Sequence, residues 1–218
     1  MVMGIKDFIR KKDGNFFLWL VIFINVFIVC SVLIFDYSIL QIKSKRLKFA
    51  VNQATKASVL AVNTTSEGIV NAEGEISNYL AEGYFLVDPE YAKYNFYQTL
   101  CENLSLNNPL NEPSYEGDVK GGITDILANT TIDTKENSIY QKIEIEELKL
   151  INVHPELSIS NPAFSPLEYT SNALNKKYEI QYPSVLAVVS TEIKGAFLKK
   201  KVTVGKLASS QLKSLYDD

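Results

Sequence analysis

The chain offers few side chains of the types and spacing that catalysis needs. Its one histidine, His154, would have to serve any Ser/His/Asp or Cys/His catalytic group. His154 directly precedes Pro155, and the sequence contains no Gly-x-Ser-x-Gly motif, the motif that places a nucleophilic serine at a strand-to-helix turn. The sequence therefore gives no support for a hydrolase that uses a serine or cysteine nucleophile.

Three glutamates in one predicted strand, Glu144, Glu146 and Glu147, are the remaining candidates for acid–base chemistry. Two carboxylates on either side of a glycosidic bond can hydrolyse it. Alternate residues of a strand point to one face, and a charged face of this kind is usually in contact with water. We therefore expect a solvated acidic face, and a membrane-anchored surface hydrolase is the enzymatic alternative.

Metal and cofactor sites lack the residues that they need. With one histidine and two cysteines in the chain, a zinc site would need carboxylates as replacement ligands. Gly121 and Gly122 do not form a phosphate-binding loop, because no Lys-Ser/Thr pair follows them and no apolar strand precedes them. Cys30 and Cys101 lie in different compartments of the predicted topology, so they cannot form a disulfide framework within one chain. We predict no cofactor, no metal and no enzymatic activity.

The overall charge excludes one broad class of partner. The chain contains 22 basic and 25 acidic residues, which gives a net charge of −3. A nucleic-acid-binding protein usually carries a basic surface, because that surface must neutralise phosphates. We therefore predict no nucleic-acid partner.

One uncharged segment, residues 16–35, organises the rest of the chain. Its 20 residues would form a helix of about 30 Å, the hydrocarbon thickness of a bilayer, so we predict a transmembrane helix. Residues 1–15 form a basic head, and by the positive-inside rule this head lies in the cytoplasm and the C-terminal domain outside the cell. A buried core helix and a cleaved secretory signal are the alternatives for this segment.

The helix is predicted to continue over residues 36–62, which contain neither Gly nor Pro. Small apolar residues recur there on one helical face, and we call them the alanine stripe: Leu47, Ala50, Ala54, Ala57 and Ala61. Because small side chains let another backbone approach closely, the stripe is a predicted helix-packing interface. Its partner is another subunit, the protein's own domain or both, and the sequence leaves these possibilities open.

Asn25 is the polar residue of the predicted span that bears most on helix packing. A polar side chain in lipid tends to seek a partner on a neighbouring helix, so Asn25 joins the candidate interface. The alternative is a single Asn that the span tolerates without a partner.

Residues 63–218 are predicted to form one α+β domain, with helices packed on an antiparallel sheet. Ser66 can cap a helix that Gly83 ends. A further helix is predicted to begin at Asp88, with Pro89 at its first position and Cys101 packing as a small hydrophobe on its apolar face.

The second half of this domain has the composition of strands. Strands are predicted over residues 140–153, 178–182, 185–193 and 200–207. The segment 185–193 is apolar on both faces, which predicts the central strand, and 200–207 should pair back on it after Gly195. The alternation of residues 140–153 slips at Glu146-Glu147, which predicts a β-bulge or a join between two strands.

Four stretches of the sequence carry a resemblance to a known family. They are RKKDGNFF before the span, FDYSILQIKSKRLKFAVNQATKASVLAV after it, FYQTLCENLSL in the predicted third helix, and PSVLAVVSTEIKGAFLKKKVTVGKLASSQL near the end. In this order they resemble the TadE-like family of Flp/Tad (tight-adherence) pilus assembly proteins, over most of the chain. The resemblance implies a minor pseudopilin with a helix in the membrane or filament core and a globular head outside.

The same resemblance implies how the protein would be processed and assembled. Prepilin-type cleavage would follow Gly14 and leave Asn15 as the first residue, and pilins usually carry Glu at the fifth mature position, where this chain has Trp19. The partners would be other pilin-like subunits or pilus assembly proteins, reached by lateral packing of the N-terminal helix. The alternative function is a membrane-tethered extracellular binding or sensor domain with no filament role.

Overall fold

One helix of 48 residues, α1 (Lys12–Val59), contains both the apolar segment and most of the alanine stripe. The computed structural model describes residues 12–61, 87–113, 122–134, 140–152, 167–180 and 182–209. The helix is continuous across the end of the apolar segment, as the lack of Gly and Pro predicts. Its second half packs against the domain, so residues 36–59 belong to the domain's core as well as to the long helix.

The second helix, α2 (Pro89–Leu104), begins where its capping residues predict. Asp88 Oδ1 accepts hydrogen bonds from the backbone N–H groups of Glu90 and Tyr91 at 2.9 and 3.1 Å, which satisfies two donors of the first turn. The helix ends at Ser105, which adopts a left-handed conformation with φ of 59°. The helix predicted from Ser66 to Gly83 lies outside the described residues.

Six strands form two antiparallel sheets in the described part of the chain: β1 (Gly122–Asp133), β2 (Tyr140–Asn152), β3 (Leu167–Ser171), β4 (Lys176–Ile180), β5 (Ser184–Lys194) and β6 (Lys199–Ser209). The larger sheet has the order β1-β2-β5-β6, and β3 and β4 form a separate hairpin. The predicted central strand is therefore confirmed as β5, which lies between β2 and β6. The predicted antiparallel partner after Gly195 is confirmed as β6.

The predicted interruption of β2 is a β-bulge and not a join between two strands. Ile145 pairs with Val189 and Glu147 pairs with Val188, so Glu146 is the extra residue opposite β5. The sequence did not predict β1 or β3. Most side chains of β1 are exposed, so its sequence lacks the regular alternation by which a half-buried strand is recognised.

The two faces of the larger sheet are covered differently. The helices α1 and α2 pack on one face, over alternate side chains of β2 and β5 that are fully buried. The β3–β4 hairpin covers part of the other face, where Tyr169 and Ile180 pack on Ile151 and Leu186. Gly205 of β6 allows the hairpin to come close, because a Cβ atom there would collide with the side chain that follows β3, at position 174. The domain is α+β, as predicted, with helices on one face of an antiparallel sheet.

Candidate functional site

The apolar segment of α1 has no covering from the rest of the described chain. Residues 16–35 are all exposed, and their large side chains include Phe16, which is 72% exposed. Among the described residues, α1 is the one helix that is long and apolar enough to cross a membrane. A core helix would be mostly buried, so the exposure contradicts that alternative. Length and composition therefore indicate a single-pass membrane protein.

The alanine stripe packs against the protein's own domain. Leu47, Ala50 and Ala54 are each 0% exposed, Ala61 is 5% exposed, and Ala57 is partly buried. The neighbours of the stripe are α2 and the sheet, within one continuous hydrophobic core. A serine on the same part of α1, at position 58, donates a buried hydrogen bond of 2.7 Å to a backbone carbonyl of α2. Of the two partners that the sequence left open for the stripe, the structure shows the intramolecular one.

Polar side chains of the span are satisfied within α1 itself. Asn25 Nδ2 donates to the carbonyl oxygen of Val21 at 2.8 Å, and Ser31 Oγ donates to that of Phe27 at 2.8 Å. Such bonds to the preceding turn are a common solution for polar groups in transmembrane helices. The geometry favours the interpretation of Asn25 as a tolerated polar residue.

The predicted processing position lies at the start of the same helix. Gly14 and Asn15 are in the first turn of α1, directly before the exposed apolar segment. The structure therefore places both residues at the end of the helix that is remote from the domain.

Asp36 joins the end of the apolar segment to the sheet. It is the first residue after that segment, and it is only 2% exposed. Its carboxylate accepts three backbone hydrogen bonds, from Ala196 at 2.6 Å, Phe197 at 3.0 Å and Leu198 at 2.8 Å. Hydrogen bonds to an ionised acceptor are about twice as strong as neutral ones. Asp36 therefore fixes residues 194–199, which we call the β5–β6 turn, against α1.

Two further features hold the β5–β6 turn in place, and a third ties the strand β2 to the same part of α1. Gly195 allows this close approach, because a Cβ atom there would collide with the carboxylate of Asp36 unless that side chain moved. Lys43 Nζ, two helical turns after Asp36, donates to the carbonyl oxygen of Lys194 at 2.9 Å. Tyr140 Oη donates to the carbonyl of Lys43 at 3.2 Å, which ties β2 to the same part of the helix. The domain is thus attached to α1 at several points just beyond the apolar segment.

A cleft of about 520 Å³ lies on the sheet face opposite α1 and is lined mainly by acidic and polar side chains. The lining residues are Asp125, Ala128, Asn129, Glu144, Glu146, Glu147, Lys149, Asn172 and Ala173. Lys149 is the basic residue of this lining, with Nζ 2.8 Å from the carboxylate of Asp125 and 3.9 Å from that of Glu147. The hydrogen bond to Asp125 raises the pKa of Lys149, so this ammonium group stays charged.

Glu147 is buried, so the expectation of a fully solvated acidic face is wrong for this residue. This residue is 5% exposed, and its carboxylate accepts hydrogen bonds from the hydroxyls of Tyr169 and, at 2.6 Å, Ser171. The reason is tertiary: the bulge at Glu146 sets Glu147 under the β3–β4 hairpin, which covers it. Glu144 and Glu146 are partly exposed, and the hydrogen bond from a neighbouring lysine lowers the pKa of Glu144. These contacts make Glu147 an anchor for the hairpin.

Cys101 packs as a small hydrophobe, as the sequence predicts. It is 1% exposed in the core between α1, α2 and the sheet. Burial raises the pKa of Cys101 from 9.0 to about 11, which keeps the thiol protonated at neutral pH. A catalytic thiol has the opposite shift, because the thiolate is the nucleophile. The predicted role of Cys101 in packing is therefore confirmed.

This environment predicts slow modification of Cys101 in the folded protein. At pH 8 a rise in pKa from 9.0 to about 11 lowers the thiolate fraction about 100-fold, and burial limits access further. We expect iodoacetamide to modify a Cys30→Ser variant at least ~100-fold more slowly in its folded state than in urea. Because the folded pKa is the higher one, this group's contribution to stability is present below pH 9 and is lost as the pH rises towards 11.

A matched control for this prediction carries an exposed thiol one residue away. Glu102 is exposed, so Glu102→Cys in a Cys30→Ser, Cys101→Ser background should react at a similar rate with or without urea. If Cys101 in the folded protein reacted as fast as the thiol introduced at position 102, Cys101 would be accessible and its place in the core would be wrong.

Searches against protein-family models, curated proteins and solved structures found no match to this chain. The span, the stripe and an interruption of β2 at Glu146-Glu147 are predictable from the sequence, but the role of Asp36 is not. The sequence signal for this role was a single acidic residue directly after an apolar segment, but the three backbone groups that it binds lie 160 to 162 residues later.

His154, the residue that would serve a catalytic group, lies outside the described residues.

Proposed function

We propose that this protein is a single-span, pseudopilin-like structural component of a Tad or type IV-like pilus or secretion apparatus. The observation that supports the proposal most is the continuity of α1, which runs without a break from an exposed apolar segment into the core of an α+β domain. A helix of this kind can transmit its position in a membrane or filament rigidly to the domain that it carries. The proposed role is mechanical and needs no catalytic group.

The surface for assembly in this proposal is the apolar segment and not the alanine stripe. The stripe is largely buried in the protein's own core, so it has little surface left for a second subunit. Residues 16–35 are exposed on all sides and can pack against the corresponding helices of other pilin-like subunits. We place the basic head, residues 1–15, in the cytoplasm and the domain outside the cell, with processing after Gly14.

The alternative is a membrane-tethered binding domain that acts alone. The cleft beside Lys149 is the observation that favours it, because it is a concave surface of sufficient size for a small ligand. Its charged groups are largely paired with one another, since Asp125 and Glu147 both face Lys149. A tethered domain would need no specific contact between spans, and this difference separates the two proposals.

The proposal predicts that one face of the span contacts a neighbouring helix. Cys30 lies in the span and is exposed, so a Cys101→Ser variant already carries a single reporter thiol there. We would move this thiol through residues 26–33, one position at a time, and oxidise native membranes of the host. Disulfide yield should rise and fall about every 3.6 residues, because only one helical face meets the partner. Mass spectrometry of the linked species should identify pilin-like chains or a second copy.

The same disulfide scan can also give a result that contradicts the pseudopilin function. A low yield that is equal at every position from residue 26 to residue 33 would indicate random collision of separate spans. Trp substitutions at these positions should then also leave surface fibres or secretion intact. Together these two results would favour the tethered binding domain over the pseudopilin.

A further inference from the structure

The β5–β6 turn is the part of the described domain that lies nearest to the apolar segment along α1. Every residue from 16 to 35 is exposed, and Asp36, the next residue, is buried. The carboxylate of Asp36 accepts hydrogen bonds from the backbone N–H groups of residues 196–198 in the turn. Since the apolar segment is about as long as the hydrocarbon layer is thick, Asp36 and this turn lie at the level of the lipid headgroups.

The exposed side chains of the turn have the chemistry of a membrane interface. Phe197 is 71% exposed and Leu198 is 36% exposed, although both belong to a tightly held turn. Exposed lysines lie beside them on the same hairpin: Lys194, Lys199, Lys200 and Lys201. An aromatic side chain among basic residues is typical of protein surfaces that bind the headgroup region of a bilayer.

Acidic residues near this surface do not cancel its charge. The carboxylate of Asp36 is turned inward to the three N–H groups and is buried. Glu192 is exposed and lies opposite Lys201 in the β5–β6 ladder, and Glu144 of β2 also interacts electrostatically with Lys201, so both glutamates offset the charge of this one lysine. The surface around Phe197 therefore keeps a net positive charge, which complements anionic lipid headgroups.

We propose that the β5–β6 turn binds the bilayer that contains α1, with Phe197 in the interfacial layer and the surrounding lysines on anionic headgroups. The domain is then held to the membrane at two points, α1 and the turn, and its orientation relative to the bilayer is fixed. Asp36 is the positioning residue that sets the depth of the turn. This inference rests on α1 spanning a bilayer and does not depend on a pilus role.

Tryptophan fluorescence of the full chain in proteoliposomes tests this site. The native Trp19 would be replaced by Phe, and Phe197→Trp would introduce the probe at an exposed position. In vesicles that contain phosphatidylglycerol and a lipid brominated near the headgroup, the emission of this probe should shift to the blue and fall by about twofold. An emission like that of water-exposed tryptophan, with no effect of bromine, would overturn the proposal.

A matched control places the same tryptophan probe near the C-terminal end of α1, far from the apolar segment. Leu60 is 77% exposed and lies about 24 residues beyond Asp36, a distance of about 36 Å along a helix. Leu60→Trp in the same Trp19→Phe background should therefore show no quenching by the brominated lipid. Equal quenching of the probes at positions 60 and 197 would mean that the domain lies flat on the vesicle or takes no fixed orientation, which would also overturn the proposal.

The role of the lysines is tested by lipid composition. Replacing Lys194, Lys199, Lys200 and Lys201 together by Gln should remove the difference in quenching of the probe at position 197 between phosphatidylglycerol and phosphatidylcholine vesicles. These side chains are exposed, so circular dichroism should show an unchanged domain. Quenching that is equal in both lipids before the substitutions would show that the charged part of the proposed site does not exist.

Discussion

Replacing Val189 by Asp is expected to unfold the domain or to leave it barely stable at neutral pH. Val189 is 0% exposed on β5, on the sheet face that α1 and α2 cover. A carboxylate buried there without a partner costs several kcal/mol, against a typical total stability of about 5–15 kcal/mol. If the domain folds, the buried carboxyl must be protonated and its pKa is raised, so the stability should fall as the pH rises from the range where a free Asp ionises up to the raised pKa of the buried group. Thermal unfolding of the full chain in detergent, followed by circular dichroism, measures this.

A control on the neighbouring strand separates burial from the effect of a new charge in the sheet. Thr203 of β6 is exposed and pairs with Ser190 of β5, so Thr203→Asp should change the melting temperature by no more than a few degrees. The full chain is needed, because α1 supplies part of the core and a fragment that begins after residue 62 would lack it. Equal and small effects of both substitutions would show that Val189 is not buried and that the position of β5 is wrong.

Replacing Ala54 by Leu is expected to lower the thermal stability of the domain. We do not expect its primary effect to be on association between chains. Ala54 is 0% exposed in the core between α1, α2 and the sheet. Additional carbon atoms in a close-packed core typically cost about 1–3 kcal/mol, because neighbouring side chains and backbone must move. For a chain of this size each kcal/mol corresponds to about 2–4 °C in melting temperature. Differential scanning calorimetry in detergent measures the shift.

Lys56 provides the matched control, because it is exposed on the same helix two residues later. Lys56→Leu adds the same side chain outside the core and should leave the melting temperature nearly unchanged. The prediction would be contradicted if Ala54→Leu left the melting temperature unchanged and abolished association between chains. That result would mean that the alanine stripe meets another subunit in the membrane, and that its packing against the domain is wrong.

These two predictions concern different parts of one core. Val189 tests the sheet side and Ala54 tests the helix side of the same cluster of buried residues. Because both sides belong to that cluster, α1 is integral to the domain and not a separate tether. A movement of the span should therefore be transmitted to the sheet, which is the mechanical property that the proposed function uses.

Features that depend on nearby residues could be predicted from the amino-acid sequence. An uncharged segment of bilayer length, an unbroken helix after it and a capped helix at Asp88 each follow from short-range patterns of hydropathy and hydrogen bonding. The central strand β5 and the bulge at Glu146 were predicted in the same way, because strand alternation and its interruption are visible within a few residues.

The surfaces that these elements cover depend on contacts between residues far apart in the chain, which the sequence patterns did not predict. The alanine stripe predicted a close neighbour but not its identity, since the same small residues suit a second subunit or the chain's own sheet. Glu147 has the local sequence of a solvated strand face, and it is buried because the hairpin that contains Tyr169, 22 residues later, covers it. Asp36 binds backbone groups that begin 160 residues later, and backbone N–H groups carry no mark in the sequence that would identify them. Contacts of this range depend on how whole elements meet, and no local pattern of residue types encodes them.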